Sequence, residues 1–148
     1  EIDRFRTEEG RALEQDFSSR INELKSLLEK VSAMDPERLA TIRERLEKAV
    51  ADLQVEVDAN RFEQELIYYL EKYDITEEKV RLANHLDYFL STMAAAGSNG
   101  KKLGFISQEI GREINTIGSK ANYAPMQQLV VQMKDELEKI KEQMLNVL

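Results

Sequence analysis

Apolar residues recur at steps of three and four along most of this chain, the spacing that lines one face of a helix. From about Arg4 to Val31 the stripe is Leu13, Phe17, Ile21, Leu24, Leu28 and Val31. Met34-Asp35-Pro36 then reads as a break. An aspartate can cap free amides, and a proline suits the first helical position, where no amide hydrogen is needed. A second helix is expected to carry Leu39, Ile42, Leu46, Ala49 or Val50, and Leu53 on one face. The pair predicts a long antiparallel helical hairpin with coiled-coil-like spacing.

Asp58 is the predicted cap of a third helix containing Phe62, Leu66, Tyr69 and Leu70. Tyr73-Asp74-Ile75-Thr76 interrupts the pattern, with Thr76 as the expected N-cap of a fourth helix and Ile75 stapled to Val80 across it. That helix runs through Leu82, Leu86, Phe89 and Met93 to the breaker Gly97-Ser98-Asn99-Gly100. A fifth helix buries Leu103, Ile106, Ile110, Ile114 and Ile117, and a sixth, opened by Pro125, aligns Val130, Met133, Leu137, Ile140 and Met144. No strand and no internal repeat is apparent. The reading is all-α: a helical hairpin plus a bundle, about six helices in total. Residues 1–73 read as scaffold and 74–148 as a C-terminal helical domain, with the chemistry in 74–120.

Composition supports helices over sheet. Charged residues make up 33% of the 148, aromatics 7%, and there is no Trp. With no cysteine, disulfides and thiolate metal sites are excluded. No apolar run approaches the roughly 18 residues of a membrane span, and nothing points to secretion. The chain starts Glu1-Ile2-Asp3 without an initiator Met, so it is expected to belong to a longer protein. The net charge of −7 is unevenly spread. Residues 1–73 hold 12 basic and 18 acidic side chains. Within 97–123, Lys101, Lys102, Arg112 and Lys120 outnumber Glu109 and Glu113. The central segment is thus locally basic, which leaves room for a phosphate-bearing partner.

The polar face of the fifth helix carries Gln108, Glu109, Arg112, Glu113, Asn115, Thr116, Ser119 and Lys120. Glu109 and Glu113 lie one turn apart, so both carboxylates project from one side. Such a mixture suits a site for phosphate and a cation; it equally suits a hydrated face with a Glu–Arg pair. His85, the only histidine, sits at the margin of the fourth helix's apolar stripe, with Arg81 one turn before it and Glu78 two. It reads either as a hydrogen-bonded structural residue or, if the fourth and fifth helices face each other, as the partner of Glu109 and Glu113 around a divalent ion. Oxygen-rich ligands favour Mn²⁺ or Mg²⁺ over structural zinc. Gly97–Lys102 lacks the spacing of a P-loop, so it reads as a hinged loop offering Lys101 and Lys102 to a backbone phosphate, or as an ordinary turn.

Several segments in order carry a resemblance. They are Asp74-Ile75-Thr76-Glu77-Glu78, Arg81-Leu82-Ala83-Asn84-His85-Leu86, Gly100–Phe105, Gln108-Glu109, Arg112–Lys120, and Ile140-Lys141-Glu142-Gln143 with Asn146. The series resembles the C-terminal region of the YicC/YloC family of bacterial stress-associated endoribonucleases, and Arg112–Lys120 is its most specific part. Gly104, Gly111 and Asn84 depart from the family's usual Asp, Asn and Ser. The resemblance implies a cytoplasmic, homo-oligomeric, metal-dependent endoribonuclease acting on RNA, here lacking an N-terminal domain that full activity can require. It raises Glu109 and Glu113 as Mn²⁺ or Mg²⁺ ligands, His85 as ligand or acid/base, and Glu78 as a further contributor. Lys101, Lys102, Arg112 and Lys120 are expected on phosphates, Arg81 on a carboxylate, and Asn115, Thr116 and Ser119 on RNA sugars. The alternative is a non-catalytic helical module for oligomerisation or RNA binding.

Overall fold

The computed structural model describes residues 8–53, 56, 58–95 and 100–147. Among these residues there are five helices and no strand: α1 (Glu8–Asp52), α2 (Ala59–Lys72), α3 (Thr76–Ala94), α4 (Gly100–Lys120) and α5 (Ala124–Val147). The helical class is as read from the pattern, but the count is five and the predicted hairpin is absent. Its two arms are one continuous 45-residue helix that passes through Pro36. The predicted start at Arg4 and the breaker residues 97–99 lie outside the described residues.

The reason α1 does not turn back is visible around the proline. Pro36 has no amide hydrogen for the Ser32 carbonyl and its ring crowds that turn, which costs a helix interior about 3 kcal/mol. The Asp35 carboxylate, expected to cap a new helix, is engaged elsewhere. It accepts from Arg38 Nε at 2.7 Å and from Lys79 Nζ at 3.1 Å. Arg38 Nη2 also donates to the Tyr73 carbonyl at 3.0 Å. Asp35 and Arg38 are both buried, so the proline is flanked by an ionic knot tying α1 to the α2–α3 junction. A buried pair with both partners present holds geometry firmly, whereas removing either one strands a charge.

Four helices form a closed ring: α1 packs on α3, α3 on α4, α4 on α5, and α5 back on α1. The predicted stripes supply the core, from Phe17, Ile21, Leu24 and Val31 through Leu82, Leu86 and Phe89 to Ile110, Ile114, Ile117, Met133 and Ile140. Phe17 meets Phe89 edge-on at 5.8 Å between centroids, joining α1 to α3. Burying each such side chain contributes roughly 1.5–3 kcal/mol. The α4–α5 seam is close because glycines face it: a methyl at Gly111 would come within 3.1 Å of Leu137, and one at Gly118 within 3.1 Å of Val130. Beyond Arg38, α1 has no buried residue and leaves the ring, carrying α2 against its outer half. Asp58 caps α2 as expected, accepting from the Asn60 and Arg61 amides.

The start of α3 differs from expectation. The N-cap residue is Ile75, with no side-chain cap bond, and the preceding Asp74 carboxylate accepts from the Thr76 amide at 3.1 Å and from the Thr76 hydroxyl at 2.7 Å. Thr76 therefore spends its hydroxyl on Asp74 instead of on the helix. Ile75 is fully buried while Val80 is exposed, so the predicted staple is not made.

Replacing Pro36 with alanine distinguishes the continuous helix from a hairpin. In the continuous helix Pro36→Ala restores a backbone bond and should stabilise by up to about 3 kcal/mol. A hairpin with Pro36 at its first helical position would gain nothing. Urea denaturation midpoints at equal slope measure the difference.

Candidate active site on the α3–α4 face

Helices α3 and α4 run antiparallel, as their cross-pairs show: Arg81 meets Glu113 and Glu78 meets Lys120. On α3, Glu78, Arg81 and His85 fall on one flank by helical spacing. On α4, Glu113 and Lys120 are two turns apart and face the same seam. Two of these side chains are carboxylates almost withdrawn from water, Glu78 at 4% and Glu113 at 5% exposure. A lone buried carboxylate would be strongly disfavoured, so each requires a cation.

Arg81 supplies the bridge. Its Nε donates to Glu113 Oε2 at 2.9 Å, its Nη2 lies 3.5 Å from Glu78 Oε2, and its Nη1 reaches the exposed Glu77 at 3.3 Å. The hydrogen bond donated to Glu113 leads the interactions that hold the guanidinium's pKa above its ordinary value. Lys120 Nζ donates to Glu78 Oε2 at 2.9 Å and to the Asp74 carbonyl at 3.1 Å. The second oxygen of Glu78, Oε1, is buried and has no hydrogen-bond partner. His85 Nε2 stands 4.0 Å from Glu113 Oε2, beyond a hydrogen bond but facing it, with a quarter of its side chain exposed. Of the two glutamates that His85 was expected to face, it faces Glu113 across the two helices, and Glu109 is not brought to it.

The remaining predicted residues stand apart from this cluster. Glu109 is half-buried and its carboxylate approaches Arg112 at 3.7 Å, whose side chain is largely in water. One turn of helix thus puts Glu113 in the seam and leaves Glu109 near the surface. Thr116 and Ser119 return their hydroxyls to the α4 backbone, at the Arg112 and Thr116 carbonyls, and Asn115 is exposed. Lys101 is exposed, and Lys102 lies 5.1 Å above the Tyr88 ring. The side chain of Asn146 lies outside the described residues. Among the described residues, no three His, Asp or Glu side chains stand together as a ready metal site. The guanidinium of Arg81 occupies the space between the two buried carboxylates.

Sequence reasoning did not find Asp35, Arg38 and Lys79, although Asp35 and Arg38 at a spacing of three were a usable signal. It also missed the Asp74 carbonyl, since a backbone acceptor leaves no mark in a sequence. A surface groove lies on the opposite flank of α3, against α1, lined by Lys25, Glu29, Ser32, Lys79, Val80 and Asp87 among others. It contains neither His85 nor Glu113, and its Lys25–Asp87 pair is exposed to water. The carboxylate–guanidinium–imidazole seam is the better candidate.

By fold and site the chain is an all-helical ring whose α3–α4 seam holds a buried acidic pair, neutralised by an arginine and a lysine, beside an imidazole. Sequence relationships give the family. Residues 31–148 match the family described as "Endoribonuclease YicC-like, C-terminal". The chain is 38% identical over 146 residues to a Clostridioides difficile (strain 630) protein named "Probable endoribonuclease YicC", covering 97% of this chain and 50% of that protein. A Haemophilus influenzae protein of the same name is 33% identical over 143 residues, again covering 97% of this chain and half of the relative. The chain belongs to the YicC-like endoribonuclease family and corresponds to its C-terminal part. It spans about half the length of the curated relatives it matches.

Asp74 makes the α3 end of this site pH-sensitive. Its pKa is lowered from 3.8, chiefly by the Thr76 hydroxyl hydrogen bond, against a smaller opposing effect of burial. A lowered folded pKa means stability that is present above the ordinary carboxylate range and lost as pH falls through the lowered value. Asp74→Ala should cost about 1 kcal/mol near neutral pH. The gap to wild type should narrow on acidification below the ordinary value, as seen by urea denaturation across that range.

Proposed function

We propose that this chain is the cleaving part of an endoribonuclease, hydrolysing RNA phosphodiesters on the α3–α4 face with the help of a divalent cation. The observation that carries the reading is the pairing of buried Glu113 with both Arg81 and His85. The relatives' name supplies the reaction class and RNA as the substrate. Helical surfaces ordinarily keep carboxylates in water. Here two are buried at a cost that only a functional or strictly paired site sustains.

By residue type the donors suit Mn²⁺ or Mg²⁺, although no three of them stand together among the described residues. Glu113, Glu78 and His85 would hold the ion, with Glu109 one turn away, and Glu78 Oε1 is a buried oxygen without a partner. Bound there, such an ion polarises the scissile phosphodiester and lowers the pKa of a water. The residues of the chain do the rest in this reading. Arg81 and Lys120 hold the phosphate and offset charge that develops on it. His85 exchanges a proton with the attacking or leaving oxygen, with Glu113 keeping the imidazole in orientation. Arg112, Lys101 and Lys102 are exposed and draw the flanking backbone by charge. Asn115, Thr116 and Ser119 lie along the same helix for contacts to sugars. The setting proposed is a cytoplasmic RNA and a homo-oligomeric protein.

A second reading, a helical module for assembly or RNA binding without catalysis, draws on one observation. The outer half of α1 and α2 leave the ring and carry the exposed Leu53, Ile67 and Tyr68. Single substitutions separate the two. Glu113→Gln and His85→Ala are each expected to lower Mn²⁺-supported RNA cleavage by roughly 10²–10⁴-fold while RNA binding and far-ultraviolet circular dichroism persist. Glu109→Ala should lower it too if that carboxylate joins the ion. Normal cleavage by Glu113→Gln would sink the catalytic reading and leave the module.

A further inference from the structure

Of the cations in the α3–α4 seam, Arg81 alone is placed to leave it. Glu78 and Glu113 are fixed by burial on two different helices, and Lys120 is held a second time by the Asp74 carbonyl. The Arg81 side chain is 46% exposed, and its other hydrogen bond goes to Glu77, which is 81% exposed. An outward swing of the guanidinium therefore takes it toward water and a partner already there. It would, however, leave Glu113 without its hydrogen-bonded cation and Glu78 with Lys120 alone. That departure is costly unless another cation enters as Arg81 leaves. A guanidinium at a water-facing edge is also the side chain best shaped to take two oxygens of a phosphate.

We propose that Arg81 is an exchangeable counter-ion: it neutralises Glu78 and Glu113 when no substrate is bound, and moves to an RNA phosphate as a divalent cation takes its place between them. This rests on the cation-assisted reading above and adds to it a reason why the ligands are not preassembled. Two observations point to the vacated position as one a cation can hold. The guanidinium already touches both carboxylates, and Glu78 Oε1 is buried there without a partner. Exchange also couples the two ligands. A phosphate that attracts Arg81 makes cation entry easier, and by linkage the cation makes phosphate binding tighter.

The test is Mn²⁺ binding alone, followed by the electron paramagnetic resonance signal of free Mn²⁺, with no RNA and no turnover. Wild type, Arg81→Gln, Glu113→Gln and the double variant are compared after thermal melts confirm folding. Arg81→Gln is expected to bind Mn²⁺ about tenfold or more tightly than wild type, because a competing positive charge has been removed. The gain should vanish in the double variant. In wild type, a 2′-O-methyl RNA oligonucleotide, which resists cleavage, should tighten Mn²⁺ binding; in Arg81→Gln that coupling should disappear. If Arg81→Gln binds Mn²⁺ no better than wild type while Glu113→Gln binds it worse, exchange is overturned and the cation site stands. If Glu113→Gln leaves Mn²⁺ binding unchanged, the cation site and the exchange fall together.

Discussion

Among the described residues three buried carboxylates have to be neutralised, and α3 takes part in neutralising each of them. Asp35 on α1 receives Lys79 from α3 and Arg38 from its own helix. Glu113 on α4 receives Arg81 from α3. Glu78, itself on α3, receives Lys120 from α4. An ion pair in water is worth little, but the same pair out of water fixes its partners, because losing either leaves a charge that the interior cannot solvate. The first two turns of α3 thus set where α1 and α4 can lie. The apolar core around Phe17 and Phe89 supplies cohesion; the ionic contacts supply register.

That constraint also produces the candidate site. Glu113 and Glu78 are buried because they sit on the seam where α3 and α4 meet, and their cations must come along that seam. Arg81 and His85 lie on the same flank of α3, so meeting the first brings the second within 4.0 Å of Glu113. The opposite flank of α3 faces α1 and forms a groove whose charged lining, the Lys25–Asp87 pair included, stays in contact with water, unlike the buried pair on the α4 side. The close α4–α5 seam at Gly111 and Gly118 braces α4 from behind, so Glu113 is presented from a rigid support.

Much of this was legible in the sequence, for different reasons in different places. Leu82, Leu86, Phe89 and Met93, and likewise Leu103, Ile106, Ile110, Ile114 and Ile117, are buried where a helical period puts them. His85 facing Glu113 followed once α3 and α4 were supposed adjacent. Glu109 was read together with Glu113 because one turn separates them, yet the edge of the seam falls between them. Thr76 was expected to cap α3, but the backbone path makes Ile75 the N-cap and turns the Thr76 hydroxyl to Asp74. The catalytic roles and the ion remain proposals that the substitutions described above decide.

Pro36 marks the boundary between what sequence and tertiary structure determine. By itself the sequence determined a helical protein and the faces its helices bury, and it proposed Asp74–Lys120 as the seat of the chemistry. Those follow from local periodicity and side-chain type, which need no knowledge of neighbours. Local rules also made Asp35-Pro36 a helix break, and there they failed. The knot of Asp35, Arg38, Lys79 and the Tyr73 carbonyl draws on residues up to 44 positions apart. Only the assembled structure brings those groups together, and so only it decides that α1 runs straight on and which carboxylates Arg81 joins.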